Sequence, residues 1–217
     1  MKHSNRPLNF ALIGCGRIAH KHADLLGNQH ISGAKLSAVC DLNADRAKTF
    51  GERYNVPWYD DSKQFLGEHS NLDVLCVLTP SGEHARNVID LAHFGKHLIV
   101  EKPMALNLED SDAMIRACNE ARVKLFVVKQ NRWNLPVQRL REAMEAGRFG
   151  KLVMGTVRVR WCRTQEYYDQ DAWRGTWAMD GGVFSNQASH HVDLLEWMLG
   201  EPESVYAISS TRLVNIE

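Results

Sequence analysis

Short apolar runs alternate with stretches of helical spacing through the first part of the chain. Asn9 to Ile13 is an apolar run ending at Gly14, and Ile18 to Leu26 then places its apolar residues at helical intervals. Leu36 to Cys40 reads as a second strand, and Asn43 is placed to cap a helix that begins near Ala44. Leu72 to Leu78 (Leu-Asp-Val-Leu-Cys-Val-Leu) predicts a buried strand stopped by Thr79-Pro80-Ser81-Gly82. A helix over Val88 to Phe94 follows, with Gly95 as its C-terminal stop. His97 to Val100 is a strand, Leu108 to Arg122 a helix and Leu125 to Val128 a strand. Repeated strand–helix alternation predicts an α/β fold with a doubly wound parallel sheet.

After Lys129 the rhythm changes. Leu135 to Ala146 reads as a helix, and Leu152 to Cys162 alternates like a strand with one wet face. A polar, aromatic-rich loop continues through Trp177, Val183 to Leu199 reads as one helix, and Val205 to Leu213 as a strand. The expected organisation is a nucleotide-binding domain over residues 1–129 and a partial α+β domain over 130–217. The second part is small for a substrate domain, and a last strand without a stop signal predicts further sheet beyond it.

Three of the segment ends carry chemistry. Gly14-Cys15-Gly16-Arg17-Ile18-Ala19 lies between a strand and a helix, the context a dinucleotide fingerprint requires. Gly14 permits the tight turn, Gly16 lets backbone approach a pyrophosphate, and Ala19 lets the helix pack close to the strand. A glycine turn at a strand–helix junction is also common for structural reasons alone. Asp41 adds weight, because a carboxylate ending the second strand suits the adenosine ribose hydroxyls and repels a ribose phosphate. NAD is therefore expected over NADP, although Arg46 is nearby. Farther along the chain, Val100-Glu101-Lys102-Pro103 puts a lysine at the carboxyl end of a strand, on the rim of the sheet. A surface lysine is the ordinary alternative. Beside a cationic nicotinamide, however, the ammonium form is disfavoured and the amine is suited to proton transfer.

Composition narrows the field. The chain has 217 residues with 26 Lys+Arg against 26 Asp+Glu, so no basic field favours nucleic acid or an anionic membrane. Five scattered cysteines contain no Cys-x-x-Cys pair, so neither a disulfide framework nor a zinc site is indicated. Reduced thiols, no membrane span and a cytoplasmic address are expected.

Further candidates are less specific. Thr79-Pro80-Ser81-Gly82-Glu83-His84 leaves the third core strand on the same rim and is either a cofactor loop or a plain turn. Asn186, His190 and Asp193 share one face of the expected helix. Adjacent His190 and His191 point about 100° apart on a helix, so no metal is expected. Tyr167, Tyr168, Trp173 and Arg174 could line a sugar or form a small core.

As a set these motifs resemble the Gfo/Idh/MocA oxidoreductases, of which glucose–fructose oxidoreductase and inositol dehydrogenase are members. The resemblance runs over essentially the whole chain, from Gly-Cys-Gly-Arg-Ile-Ala through Thr-Pro-Ser-Gly-Glu-His and Glu-Lys-Pro to His190-x-x-Asp193. It implies a Rossmann-type first domain, NAD as cofactor and hydride transfer from a sugar hydroxyl. Lys102, His190 and Asn186 fall on the catalytic positions. Many members have aspartate where Asn186 stands, which places this chain in a subgroup. The cofactor set implied is Gly14, Gly16, Arg17, Ile18, Asp41, Thr79, Pro80, His84, Glu101, Lys102 and Gln130. Substrate contacts fall on Lys102, Lys129, Asn131, Arg174, Asn186 and His190. Lys129-Gln130-Asn131-Arg132 and Asp171 to Trp177 resemble the branch that oxidises C3 of UDP-N-acetylglucosamine-derived uronic acids for surface polysaccharides. A homo-oligomer is implied for a full-length form. An inositol or simple aldose dehydrogenase and an NAD-binding regulatory or sensor protein are the alternatives.

Overall fold

The computed structural model describes residues 6–68 and 71–217, which divide into one compact unit up to Val127 and a second from Val128. In the first unit, six parallel strands run β1 (Leu8–Ile13), β2 (Ala34–Cys40), β3 (Trp58–Tyr59), β4 (Val74–Val77), β5 (His97–Val100) and β6 (Leu125–Val127). Their order in the sheet is β3-β2-β1-β4-β5-β6. The order reverses between β1 and β4, where open sheets of this type take their ligands.

The strands alternate between two cores. Ala11, Ile13, Leu75, Val77, Leu98 and Val100 face one side, with Phe65 of α3 (Ser62–Glu68), Val88 of α4 (His84–Ala92) and Met114 of α5 (Leu108–Glu120). Leu12, Leu36, Val39 and Cys76 face the other, with Ala19 and Ala23 of α1 (Ala19–Gly27) and Phe50 of α2 (Ala44–Tyr54). All four residues of β4 are buried, as a central strand covered on both faces requires.

Local sequence accounts for several boundaries. The Asn43 side chain accepts from the Arg46 amide and starts α2, as its position predicted. Gly95, at φ +69°, follows α4 in the left-handed region. That helix begins at His84, one turn before the expected Val88. The short β3 and α3 carry too few residues for a periodicity to emerge.

The second unit departs further from expectation. It contains a 3-10 turn (Gln130–Trp133), α6 (Leu135–Glu145), α7 (Gln165–Asp169), α8 (Gly182–Ser185) and α9 (Ser189–Leu199). The strands expected over Leu152 to Cys162 and Val205 to Leu213 carry no ladder. Alternation reports which residues can face a core, but a strand also needs a neighbour to take its backbone hydrogen bonds. The first segment instead runs past α9, with Gly155 beside Leu195 and Leu199 and Trp161 edge-on to His191. The single helix expected over Val183 to Leu199 breaks at Asn186 to Ala188, so Asn186 lies outside α9. Gly181 and Gly182, both at positive φ, set the preceding turn.

Candidate active site

Because every strand of the first unit is parallel, its carboxyl ends share one rim. Gly14 follows β1 at φ +99°, and a β-carbon there would lie 2.9 Å from the carbonyl carbon and oxygen of Leu78. Position 14 excludes a side chain because the turn passes against the end of β4. Gly16 is different: a β-carbon there would meet nothing within 4 Å. The protein itself makes no demand on Gly16, whereas a ligand approaching the backbone would. Ala19, fully buried, opens α1; of the two residues before it, Arg17 is exposed and Ile18 is half-buried against the core beneath α1.

Asp41 ends β2 and grips the glycine turn. Its carboxylate accepts from the Cys15 amide at 2.7 Å and the Asn43 amide at 2.8 Å. Each oxygen keeps a second lone pair for a ribose hydroxyl. Sequence reasoning missed this second duty, since the partners are 26 and 2 residues away in different elements. The Cys15 thiol is pushed up to about 12, by burial first and then by the Asp41 charge, so it is inert.

The Thr79 and Glu101 loops are stitched together by a buried histidine. His84 is 1% exposed, with Nδ1 2.7 Å from the Pro103 carbonyl oxygen and Nε2 3.0 Å from that of Thr79. Neutral imidazole donates only one of these bonds, and the two carbonyls favour the cation. Burial opposes them and prevails, holding the His84 pKa below its usual value. His84 therefore braces the rim through backbone and does not present its ring to a ligand. Thr79 Oγ1 accepts from Asn87 at 3.1 Å, and Pro80 starts the 3-10 turn Ser81–Glu83.

Glu101 is a buried carboxylate. Its Oε1 lies 2.9 Å from His22 Nε2 on α1, and its Oε2 accepts from the Lys102 amide at 3.3 Å. Burial pushes its pKa up, but the His22 hydrogen bond and the neighbouring Lys102 charge outweigh this and hold it below its usual value. Lys102 is half-buried beside it, at the head of a cis peptide to Pro103.

In the second unit, Gln130 Nε2 lies 3.1 Å from Nε2 of His190, which is 9% exposed. Asp193 is gripped by two Arg132 hydrogen bonds of 2.8 Å, with Lys129 Nζ at 3.7 Å. Asn131 is half-buried in the same turn. Asn186 does not share the His190 helix face; its amide group donates to Asp180, whose other oxygen accepts from the Gly175 amide at 2.8 Å. Asp180, 4% exposed, gave no signal in the sequence beyond a carboxylate before two glycines.

Arg174 is committed within its own unit. It pairs with Asp171 at 3.1 Å, donates to the Tyr167 hydroxyl at 2.9 Å, and lies over the Tyr167 and Trp173 rings at 4.7 and 4.6 Å. This favours the core reading of that aromatic cluster over the sugar-stacking one. Open hollows beside β6 and around Tyr168 include neither Lys102 nor His190. The candidate residues of the first unit lie instead along the rim, in the turns that follow β1, β2, β4 and β5.

Residues 8–129 match the oxidoreductase family with an NAD-binding Rossmann fold, Gfo/Idh/MocA, and residues 137–217 match that family's C-terminal domain. The chain belongs to the Gfo/Idh/MocA oxidoreductases. Among family members, the WlbA dehydrogenase of Bordetella pertussis, solved with NADH and UDP-GlcNAcA, is 45% identical. It superposes with a TM-score of 0.93 over 98% of this chain and 64% of that one. The WlbA dehydrogenase of Chromobacterium violaceum gives 44% and 0.94 over 99% and 61%. Myo-inositol 2-dehydrogenase of Thermotoga maritima is 31% identical over 94% of this chain, which spans 58% of that relative's length. The first unit is thus an NAD-binding Rossmann domain of the Gfo/Idh/MocA type, and its open Gly16 and strand-end Asp41 fit that cofactor. No helix among the described residues is long and apolar enough to cross a membrane.

Proposed function

We propose that this Gfo/Idh/MocA chain serves an NAD-dependent sugar dehydrogenase that oxidises C3 of a UDP-N-acetylglucosamine-derived uronic acid. The likeness to WlbA dehydrogenases over 98–99% of the chain carries this reading, because it extends through both units and not just the cofactor fold. A role in surface-polysaccharide synthesis, a cytoplasmic location and a homo-oligomeric full-length form belong to the same proposal.

Oxidising a secondary alcohol moves a hydride and a proton from one carbinol group. The nicotinamide ring supplies the hydride acceptor. Lys102, held at the end of β5, takes the hydroxyl proton or donates a hydrogen bond to the oxygen that loses it. His190 is the second candidate for the proton, with Gln130 occupying its Nε2 side until a hydroxyl replaces it. Asn186 and Asp180 shape the turn before α9, and Lys129 and Asn131 supply candidate contacts for phosphate or uronate.

Thermal shift with NAD, NADP and UDP-sugars, followed by turnover of UDP-GlcNAcA, tests this reading. Stabilisation by NAD and by UDP-sugars is expected. Lys102→Met should retain NADH binding and lose at least about a hundredfold in kcat, within the range for loss of a general base. Unchanged turnover in that variant would remove Lys102 from the reaction. The 31% identity to myo-inositol 2-dehydrogenase supports a second reading, oxidation of an inositol or simple aldose. No UDP effect on melting, with turnover of myo-inositol, would favour it.

A further inference from the structure

We propose that His22 is a positioning residue for Lys102, acting through the Glu101 carboxylate. The proposal rests on reading Lys102 as the group at the reacting end of the cofactor, and it adds a residue that the glycine turn and the Glu-Lys-Pro motif leave out. His22 lies in the first turn of α1, the helix that starts directly after the Gly14 to Ile18 turn. Its ring reaches over the rim to Glu101, 79 residues away, and contacts Oε1 at 2.9 Å. The side chains are 20% and 10% exposed, so water screens the contact poorly.

The other Glu101 oxygen holds the Lys102 backbone at 3.3 Å, while the Glu101 amide donates to Val77 of β4 at 3.1 Å. On the far side, His84 reaches the carbonyl oxygen of Pro103 at 2.7 Å. Lys102 therefore sits between two histidine braces, one through the preceding carboxylate and one through the following carbonyl. The first brace connects it to the helix whose N-terminus faces the pyrophosphate turn. A shift of α1 on phosphate binding would be passed to Lys102 through this side-chain pair. The alternative role for His22, neutralising a buried carboxylate, predicts loss of stability without a local change at Lys102.

The groups facing Glu101 are His22 of α1, Lys102 beside it, His84 of α4 and the Cys76 thiol of β4. Only His22 and Lys102 carry a hydrogen bond to its oxygens among these contacts. His22→Leu removes the brace, and His22→Gln keeps one N–H donor of similar reach.

Amide exchange, read residue by residue on the 217-residue chain, decides the matter. In His22→Leu the Lys102 amide should exchange at least about tenfold faster, the scale of one lost hydrogen bond to a charge. Leu98 and Ile99 in β5 should be unaffected, and His22→Gln should restore protection. Glu101→Gln should reproduce the effect, and His22→Leu/Glu101→Gln should add nothing to it, as two residues acting in one chain require. Where turnover is measurable, kcat should fall about tenfold in His22→Leu while the KM for NAD changes less. An unchanged Lys102 amide in His22→Leu, uniform loosening of β5, or failure of His22→Gln to restore protection would each overturn the proposal. Absent turnover in the unsubstituted chain would count against the dehydrogenase reading and leave the exchange result to decide the brace.

Discussion

Replacing Gly16 by alanine separates a glycine kept for the fold from one kept for a ligand. A β-carbon at position 16 meets nothing within 4 Å, and the residue is not in the left-handed region. The folded chain should therefore accept the methyl group without strain. Alanine also narrows the unfolded ensemble, which stabilises compatible sites by about 0.4–1 kcal/mol. The free protein should melt at the same temperature or slightly higher. A bound diphosphate is affected differently, because a methyl group in its path keeps phosphate oxygens beyond the roughly 3 Å of a good N–H···O bond. Losing one charge-assisted bond removes about 1.5–3 kcal/mol, which is about a ten- to hundredfold rise in Kd. Gly14→Ala provides the contrast. With φ at +99° and the Leu78 carbonyl 2.9 Å from the new carbon, it should lose about 1–3 kcal/mol of stability before any ligand is added. Urea denaturation gives the first quantity, and NADH titration followed by tryptophan fluorescence gives the second. Native NADH affinity in Gly16→Ala would refute the argument and reduce the turn to a chain reversal.

Asp41 should set cofactor choice: NAD is expected to bind at least about tenfold more tightly than NADP, from a like-charge contact of about 1.4 kcal/mol or more. Asp41→Asn, which retains an acceptor for the Cys15 or Asn43 amide, should narrow that ratio in parallel titrations, and an unchanged ratio would exclude charge as the cause. Acid should destabilise the first unit in two steps, read as the urea midpoint against pH. His84, with its pKa depressed by burial, contributes stability that is complete above its unfolded value near 6.5 and is lost as pH falls towards its folded value. Asp73, lowered chiefly by the Arg6 hydrogen bond, and Glu101, lowered by His22 against its burial, lose theirs from about pH 4 downward. His84→Gln should flatten the first step only. Arg132→Met should cost the second unit about 2–3 kcal/mol by leaving buried Asp193 with Lys129 at 3.7 Å. A denaturation midpoint within error of the native one would show that the pair is not a net contributor.

The Rossmann unit was legible in the sequence because its signals are local. Runs such as Leu72 to Leu78 are apolar throughout since β4 is covered on both faces, and Asn43 and Gly95 act within one turn of the helix ends they mark. Lys102, His190 and Asp41 could be named as candidates for the same reason, each sitting at a strand end or within a helix. Partnership was not legible. That Asp41 holds the Cys15 amide, His84 the Pro103 carbonyl, His22 the Glu101 carboxylate and Arg132 the Asp193 carboxylate depends on crossings of 26, 19, 79 and 61 residues. Nothing in the identity or spacing of either member specifies such a pairing. The second unit shows the same division. Alternation over Leu152 to Cys162 described which side chains suit a core, but pairing into a sheet requires a neighbouring strand's backbone. The break at Asn186 depends on two glycines at positive φ and on a buried carboxylate, Asp180, that draws the asparagine side chain away from the helix. Residue patterns encode the energy of a segment in its own environment, whereas hydrogen bonds between distant segments exist only after the chain has closed.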